Sequence, residues 1–279
     1  MRPWLHRSVL WLALALSACA IEKPLTPSFG IAPPGQVAEP LTDAARQRQA
    51  LAPTGVLRVG VYAGSPTSLV RPASGPPVGV AYELGHALAQ QLQVPVQVVE
   101  FPRVAEVIAA LKAEQVDMTF TNASPARARE VDFTRPLIRL ELGLLVPPGS
   151  GIQRFADLDR AGVRVGVSQG SSSQAALGGQ LKQAKLDPVP SLAVARQKFQ
   201  QRELDAFATN KGILFEMAEQ LPGYVVLNDR WGFEQLAIAI PKGREVGMPW
   251  LQAFADSAVR SGQLTAITQR AGLRGIAKD

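Results

Sequence analysis

From Leu57 onward the sequence alternates two hydrophobic periods, and it does so twice over. Residues 57–61 (Leu-Arg-Val-Gly-Val) form a β-rich run behind a Pro-Thr-Gly turn and predict a strand. Residues 82–92 place Leu84, Leu88 and Leu92 four apart, the spacing of one helix face. The β-branched run 94–101 predicts a strand, the stripe Val104, Val107, Ile108 and Leu111 a helix, and 116–120 another strand. Beyond Leu142–Val146 and a Pro-Pro-Gly break at 147–149 the pattern resumes, with strands at 163–167, 205–208 and 235–240. Helices are expected at 171–182, 192–201 and 211–220, and two more, 249–261 and 263–271, finish the chain. Alternating strands and helices predict an α/β fold with parallel pairing.

Two such units, followed by helices that belong to neither alone, predict two lobes whose tail returns to the first. The expected divisions are 54–141 for lobe one, 142–240 for lobe two with its hinge strands, and 241–279 for the returning helices. The chain then crosses between lobes twice, near 142–146 and 235–240, and a double crossing permits hinge closure on a ligand. Trp231, Phe233 and Glu234 fall in the loop expected before the second crossing.

The amino terminus reads as an address. Arg2, His6 and Arg7 precede an unbroken apolar run from Val9 to Leu16, too short for a bilayer core that needs ~20 residues. This is the layout of an export signal. Leu16-Ser17-Ala18-Cys19 resembles the lipobox of bacterial lipoproteins, which implies cleavage before Cys19 and acylation of its thiol. Residues 1–19 are therefore expected to be a lipoprotein signal ending at the lipidated cysteine. The stretch 20–53, with Pro24, Pro27, Pro33, Pro34 and Pro40, is expected to be a tether. Within it, Thr42 or Asp43 is placed to cap a short helix running to Ala52.

Composition removes several function classes. Cys19 is the one cysteine, and His6 and His86 are the only histidines. No disulfide within the chain, His/Cys metal cluster or Cys-His dyad can form from that set, and no cofactor is expected. The net charge of +6 is scattered, without Lys/Arg runs interleaved with aromatics, which argues against nucleic acid as a partner. Phosphate loops are missing too.

Three markers stand in order along the chain. The first joins Val116-Asp117-Met118, Ser124-Pro125-Ala126-Arg127 and Val131-Asp132-Phe133-Thr134-Arg135-Pro136; the second is residues 162–172; the third is Leu204-Asp205-Ala206-Phe207-Ala208. Together they resemble the bacterial extracellular solute-binding proteins of family 3, over nearly all of the chain after the tether. The resemblance implies the two-lobe periplasmic-binding-protein-like fold of type II. It also implies binding of a small amino-acid-like solute at the cell envelope, and delivery to the ABC permease subunits of the inner membrane.

The resemblance also assigns residues. Arg127 matches the arginine that grips a ligand carboxylate, a role that suits the two parallel hydrogen bonds of a guanidinium; its other reading is a solvated helix arginine. Phe120, through its backbone carbonyl, and Asn122 match positions that meet the ligand's amino group; Asn122 reads equally as a turn residue. Ser171 and Ser172, between a strand and a helix, match the second lobe's carboxylate position, and serine there also suits plain helix capping. Tyr62 stands where several members carry Asp, and is either a ligand contact or a lobe-edge core residue. Asn210 stands where many members carry an Asp that pairs with the ligand ammonium. These departures point to a solute with a carboxylate and a weakly held or absent amine. Some relatives are dehydratases of carboxylated rings that use an acid in the cleft, and Glu234 is the one candidate acid for that alternative; a ligand-sensing or scaffold lipoprotein is the other.

Overall fold

The computed structural model describes residues 42–278, so the expected export signal, Cys19 and the proline-rich stretch up to Leu41 lie outside the described residues. The described chain opens with α1 (Asp43–Leu51), whose first turn is capped by the Thr42 hydroxyl accepting from the Ala45 N–H at 3.2 Å. Leu51 is buried in the core of the first lobe, against Gly247. Residues 43–52 are thus folded onto lobe one rather than part of a free tether, because the helix ends on an apolar residue that the core can take up. Leu51→Ala is expected to cost about 2 kcal/mol or more of stability, read as a lower midpoint in urea; an unchanged midpoint would mean that α1 is only a surface attachment.

In lobe one, β1 (Leu57–Tyr62) pairs in parallel with β2 (Val96–Phe101) through α2 (Val80–Leu92). The four-residue spacing of Leu84, Leu88 and Leu92 is the buried face of α2, packed with Leu57, Val59 and Val61. Each such side chain contributes about 1.5–3 kcal/mol on burial. α3 (Val104–Lys112) covers the other side of β1, with Val107 against Gly60. Gly79, at φ +143°, opens α2 where any Cβ would run into the Ser68 carbonyl oxygen. That fit seats the loop whose Ser68 hydroxyl accepts from the Tyr62 N–H at 2.9 Å.

Next in the chain come β3 (Thr119–Asn122), the one-turn α4 (Pro125–Ala128), β4 (Val131–Phe133) and the long β5 (Ile138–Val146). Lobe two holds β6 (Arg164–Ser168), α5 (Ser172–Gln180), β7 (Lys185–Val189), α6 (Leu192–Gln200), β8 (Ala206–Asn210), α7 (Lys211–Glu219) and β9 (Val225–Val226). There β6 pairs in parallel with both β7 and β8.

The two lobes share one sheet of order β3-β10-β5-β8-β6-β7, where β10 is Gly232–Pro241. Ile138 and Leu140 of β5 belong to the lobe-one core, and Leu144 and Val146 to a lobe-two core. β10 returns in the opposite direction and puts Leu236, Ile238 and Ile240 into lobe one. The expected parallel pairing holds for β1 with β2 and for β6 with β7 and β8, and is corrected for the strands that cross between the lobes. β10 runs antiparallel to β3, β4 and β5, and β5 antiparallel to β8 and β9. A chain that leaves a lobe on one strand and comes back on its neighbour makes those two strands antiparallel. The strand starts at Gly232, so Phe233 and Glu234 lie in β10 and not in a preceding loop.

The closing helices α8 (Met248–Arg260) and α9 (Gln263–Arg270) set Leu251, Phe254, Leu264 and Ile267 into the lobe-one core. Arg270 pairs with Glu83 of α2 at 2.6 Å. The tail then runs beside the hinge. The Glu141 N–H donates to the Gly275 carbonyl at 2.9 Å, and the Ala277 N–H to that of Arg139 at 2.8 Å. Arg274 stacks on Phe215 and pairs with Glu219, both on α7 of lobe two.

Candidate ligand-binding cleft

Between the lobes a turn delivers a cation to buried ground. β3 ends in Thr121 and Asn122, Ser124 caps α4 by accepting from the Arg127 N–H at 3.3 Å, and Pro125 takes the first helical position. This tight turn points the Arg127 guanidinium back over the strand, where Nη1 donates to Thr121 Oγ1 at 2.7 Å. Arg127 is only 8% exposed. Burial pulls its pKa below the ordinary arginine value, while Glu234 opposes that shift. A guanidinium that stays charged out of water is poised for an anion.

Glu234 is the carboxylate of the same cleft. Both oxygens are held: Oε1 accepts from the Ser172 hydroxyl at 3.0 Å, and Oε2 from Asn210 Nδ2 at 2.9 Å. Burial pushes its pKa up; Arg127, then Asn210 and Ser172, work against that rise. Asn210 is fixed because its Oδ1 caps α7 at the Ile213 N–H, 3.1 Å away. Ser171 caps α5 by accepting from the Gln174 N–H, which leaves the Ser172 hydroxyl free to face the cleft.

The lobes touch across this site. Asn122 of lobe one donates to the Ser172 hydroxyl of lobe two at 3.2 Å, and its Oδ1 accepts from the Gln235 N–H at 2.9 Å. Gly170, at φ +72°, lies so close to Ala105 that a Cβ there would be 2.6 Å from the alanine methyl. Tyr62, Val104 and Val107 of lobe one share an apolar cluster with Leu192 and Ile213 of lobe two. The space enclosed is about 30 Å³, room for a water and not for an amino acid. On its open side, past Arg127, a groove of about 690 Å³ runs between α3, α4 and the start of α5. A molecule larger than water enters the inner cavity only if the lobes part.

This geometry can be set beside known proteins. Residues 57–273 match the sequence profile of the bacterial extracellular solute-binding proteins, family 3. The chain belongs to that family. Among solved structures, this solute-binding protein is similar to the ancestral amino acid-binding protein AncCDT-1, a precursor of cyclohexadienyl dehydratase. The two are 25% identical, with a TM-score of 0.70 over 80% of this chain and 98% of that one. It is also similar to a binding component of an ABC transporter from Wolinella succinogenes solved with lysine, at 26% identity and TM-score 0.69, over 77% and 95% of the two chains. AbpA of Streptococcus pneumoniae, bound to L-arginine, shares the fold at 18% identity and TM-score 0.73, over 82% and 100%. No curated protein sequence matches the chain.

The solute-binding protein brings six of the expected residues together: Tyr62, Asn122, Arg127, Ser171, Ser172 and Asn210 all line the inner cavity. Phe120 does not. Its side chain is buried in the lobe-one core and the adjoining wall residue is Thr121; the part expected of Phe120 belongs to its backbone carbonyl, which side-chain burial leaves open. Tyr62 packs in the interlobe apolar cluster and also lines the cavity. Sequence reasoning missed Thr121, Ser168 and Thr209 as wall residues; each is a small polar side chain at or near a strand end, which carries no distinctive signal. Trp231 covers the lobe-two side of the hinge, donating to the Gly143 carbonyl at 3.0 Å and stacking on Phe155.

Proposed function

We propose that this chain is the extracytoplasmic solute-binding component of an ABC importer. Its cleft takes a small carboxylated, amino-acid-like solute. Family membership supports the transport setting. The observation that carries the solute class is Arg127, a guanidinium buried between two lobes with only a hydroxyl and a carbonyl as direct partners. A solute carboxylate placed there satisfies the guanidinium and reaches the Ser171 hydroxyl and the Ser172 backbone N–H on the opposite lobe, the Ser172 hydroxyl proton being held by Glu234. Donors from both lobes then meet one ligand, which favours the closed state. The closed shape docks on the permease subunits in the inner membrane. In the same reading residues 1–19 are the export signal, Cys19 carries a lipid that holds the protein at the cell envelope, and the following proline-rich segment gives it reach.

A second reading rests on Glu234, a buried carboxyl in the cleft with its pKa pushed up, and on the likeness to a dehydratase precursor. Raised carboxyl pKa values suit general acids. An enzyme consumes its solute; a binding protein does not.

The test is a thermal-shift panel of amino acids, 2-hydroxy acids, dipeptides, polyamines and sugars. A solute at 100 times its Kd adds about 2.7 kcal/mol of stability, a rise of about 5–10 °C in Tm for a chain of this size. The expected outcome is a rise with one group of carboxylated solutes, and recovery of that solute unchanged. Rises confined to sugars or polyamines would overturn the assignment, and loss of the solute with time would favour the enzyme.

A further inference from the structure

Resting on the reading of Arg127 as the carboxylate site, we propose that Glu234 receives the ammonium group of the solute and selects amino acids over their deaminated counterparts. Among the described residues, Glu234 is the only carboxylate that lines the inner cavity. The two cations of that lining are Arg103 and Arg127; Arg103 is already paired with Glu106 at 2.8 Å and reaches the Pro190 carbonyl. What remains is one buried positive and one buried negative group facing the same small space, and that set matches a zwitterion. A 2-hydroxy acid satisfies the guanidinium alone and leaves the glutamate to be neutralised by a proton.

The hydrogen bonds fit this role. An ionised carboxylate has about four acceptor positions. Ser172 takes one on Oε1 and Asn210 one on Oε2, which orients the group and leaves capacity on both oxygens for an ammonium. Asn210 is part of the same design. An aspartate at 210 would put a second carboxylate within 2.9 Å of Glu234, and two carboxylates so close cannot both ionise. The amide at 210 is what a charged carboxylate at 234 requires. The departure at Asn210 therefore does not remove the amine receptor; it moves the negative charge one hydrogen bond away, onto the hinge strand.

Calorimetric titration of the full chain tests this, with L-leucine, L-phenylalanine, L-glutamate and L-arginine set against the 2-hydroxy acid matched to each. The parent should prefer at least one amino acid over its hydroxy acid by about 100-fold, the scale of a buried charge pair. Glu234→Gln should lose about 100-fold toward that amino acid and bind the hydroxy acid at least as tightly as the parent does. The swap Asn210→Asp with Glu234→Gln should recover most of the amino acid affinity. A Glu234→Gln protein that binds the amino acid as tightly as the parent overturns the proposal, as does a parent that prefers the hydroxy acid. If Glu234→Gln binds neither, the swap decides: recovery supports the role, and no recovery rejects it. If the parent binds no carboxylated solute at all, the Arg127 reading fails first and takes this one with it.

Discussion

Asp117→Ala lowers the unfolding midpoint by about 6–20 °C. Asp117 is fully buried between the first and last parts of lobe one. It accepts from the Arg58 N–H at 2.8 Å, from Arg58 Nε and Nη2 at 2.9 and 2.7 Å, and from Arg244 Nη1 at 2.7 Å. Arg58 lies on β1, and Arg244 sits just before α8 with its own side chain 6% exposed. Removing Asp117 strips the buried Arg244 guanidinium of its buried partner and leaves it the mostly exposed Glu114 at 3.0 Å; breaking a buried ion pair in this way costs about 3–5 kcal/mol, and each kcal/mol moves Tm by about 2–4 °C at this size. The exposed pair of Arg46 and Asp43 is a built-in control, since such pairs are worth about 0–1 kcal/mol. Scanning calorimetry on both variants checks this; equal, small shifts would mean that the buried triad does not clamp the lobe.

Arg127→Met abolishes useful solute affinity while the protein stays folded. Truncating one partner of a buried, hydrogen-bonded charge pair costs about 2–5 kcal/mol, or roughly 30- to 5000-fold in Kd. The fold survives because the group left behind can change its charge. Arg127 holds the Glu234 pKa down against burial; without it the carboxyl takes up a proton rather than remain a lone buried anion. The sign follows from linkage. A carboxyl whose folded pKa lies above its unfolded value penalises the folded state once pH rises through that folded pKa, and the penalty is absent below the unfolded value. The variant should therefore show a stability that falls more steeply with rising pH than the parent's. Arg103 and Tyr62, which line the same cavity, are the other charged or titratable groups facing Glu234. Titration calorimetry and a melting series across pH read both effects. Binding within about 3-fold of the parent, well below the cost of a lost charge pair, would remove Arg127 from the site.

Much of this was legible before any coordinates. The four-residue spacing in α2 and the β-branched runs at β1 and β2 specify their own period, so each element formed where the pattern put it. The lost strands have local causes. β7 carries Lys185, Asp187 and Pro188 and lies at the end of the sheet, where proline is tolerated and apolar alternation is not required. β4 is three residues long and is held by its pairing with β10 rather than by its own propensity. Arg127 could be picked out because the motif Ser124-Pro125-Ala126-Arg127 resembles that of the family. The role of Glu234 could not. It falls just before the apolar strand pattern of 235–240, and only the fold brings Ser172, from 62 positions away, and Asn210, from 24, onto its two oxygens.

The measurement that bears most directly on the central claim is a crystal structure of the protein with the best-binding solute of the thermal panel. The account predicts closed lobes with the solute carboxylate about 3 Å from the Arg127 guanidinium nitrogens, and Ser171 or Ser172 completing the contact from the other lobe. A solute whose carboxylate lies anywhere else, or one seated outside the interlobe cleft, would contradict it.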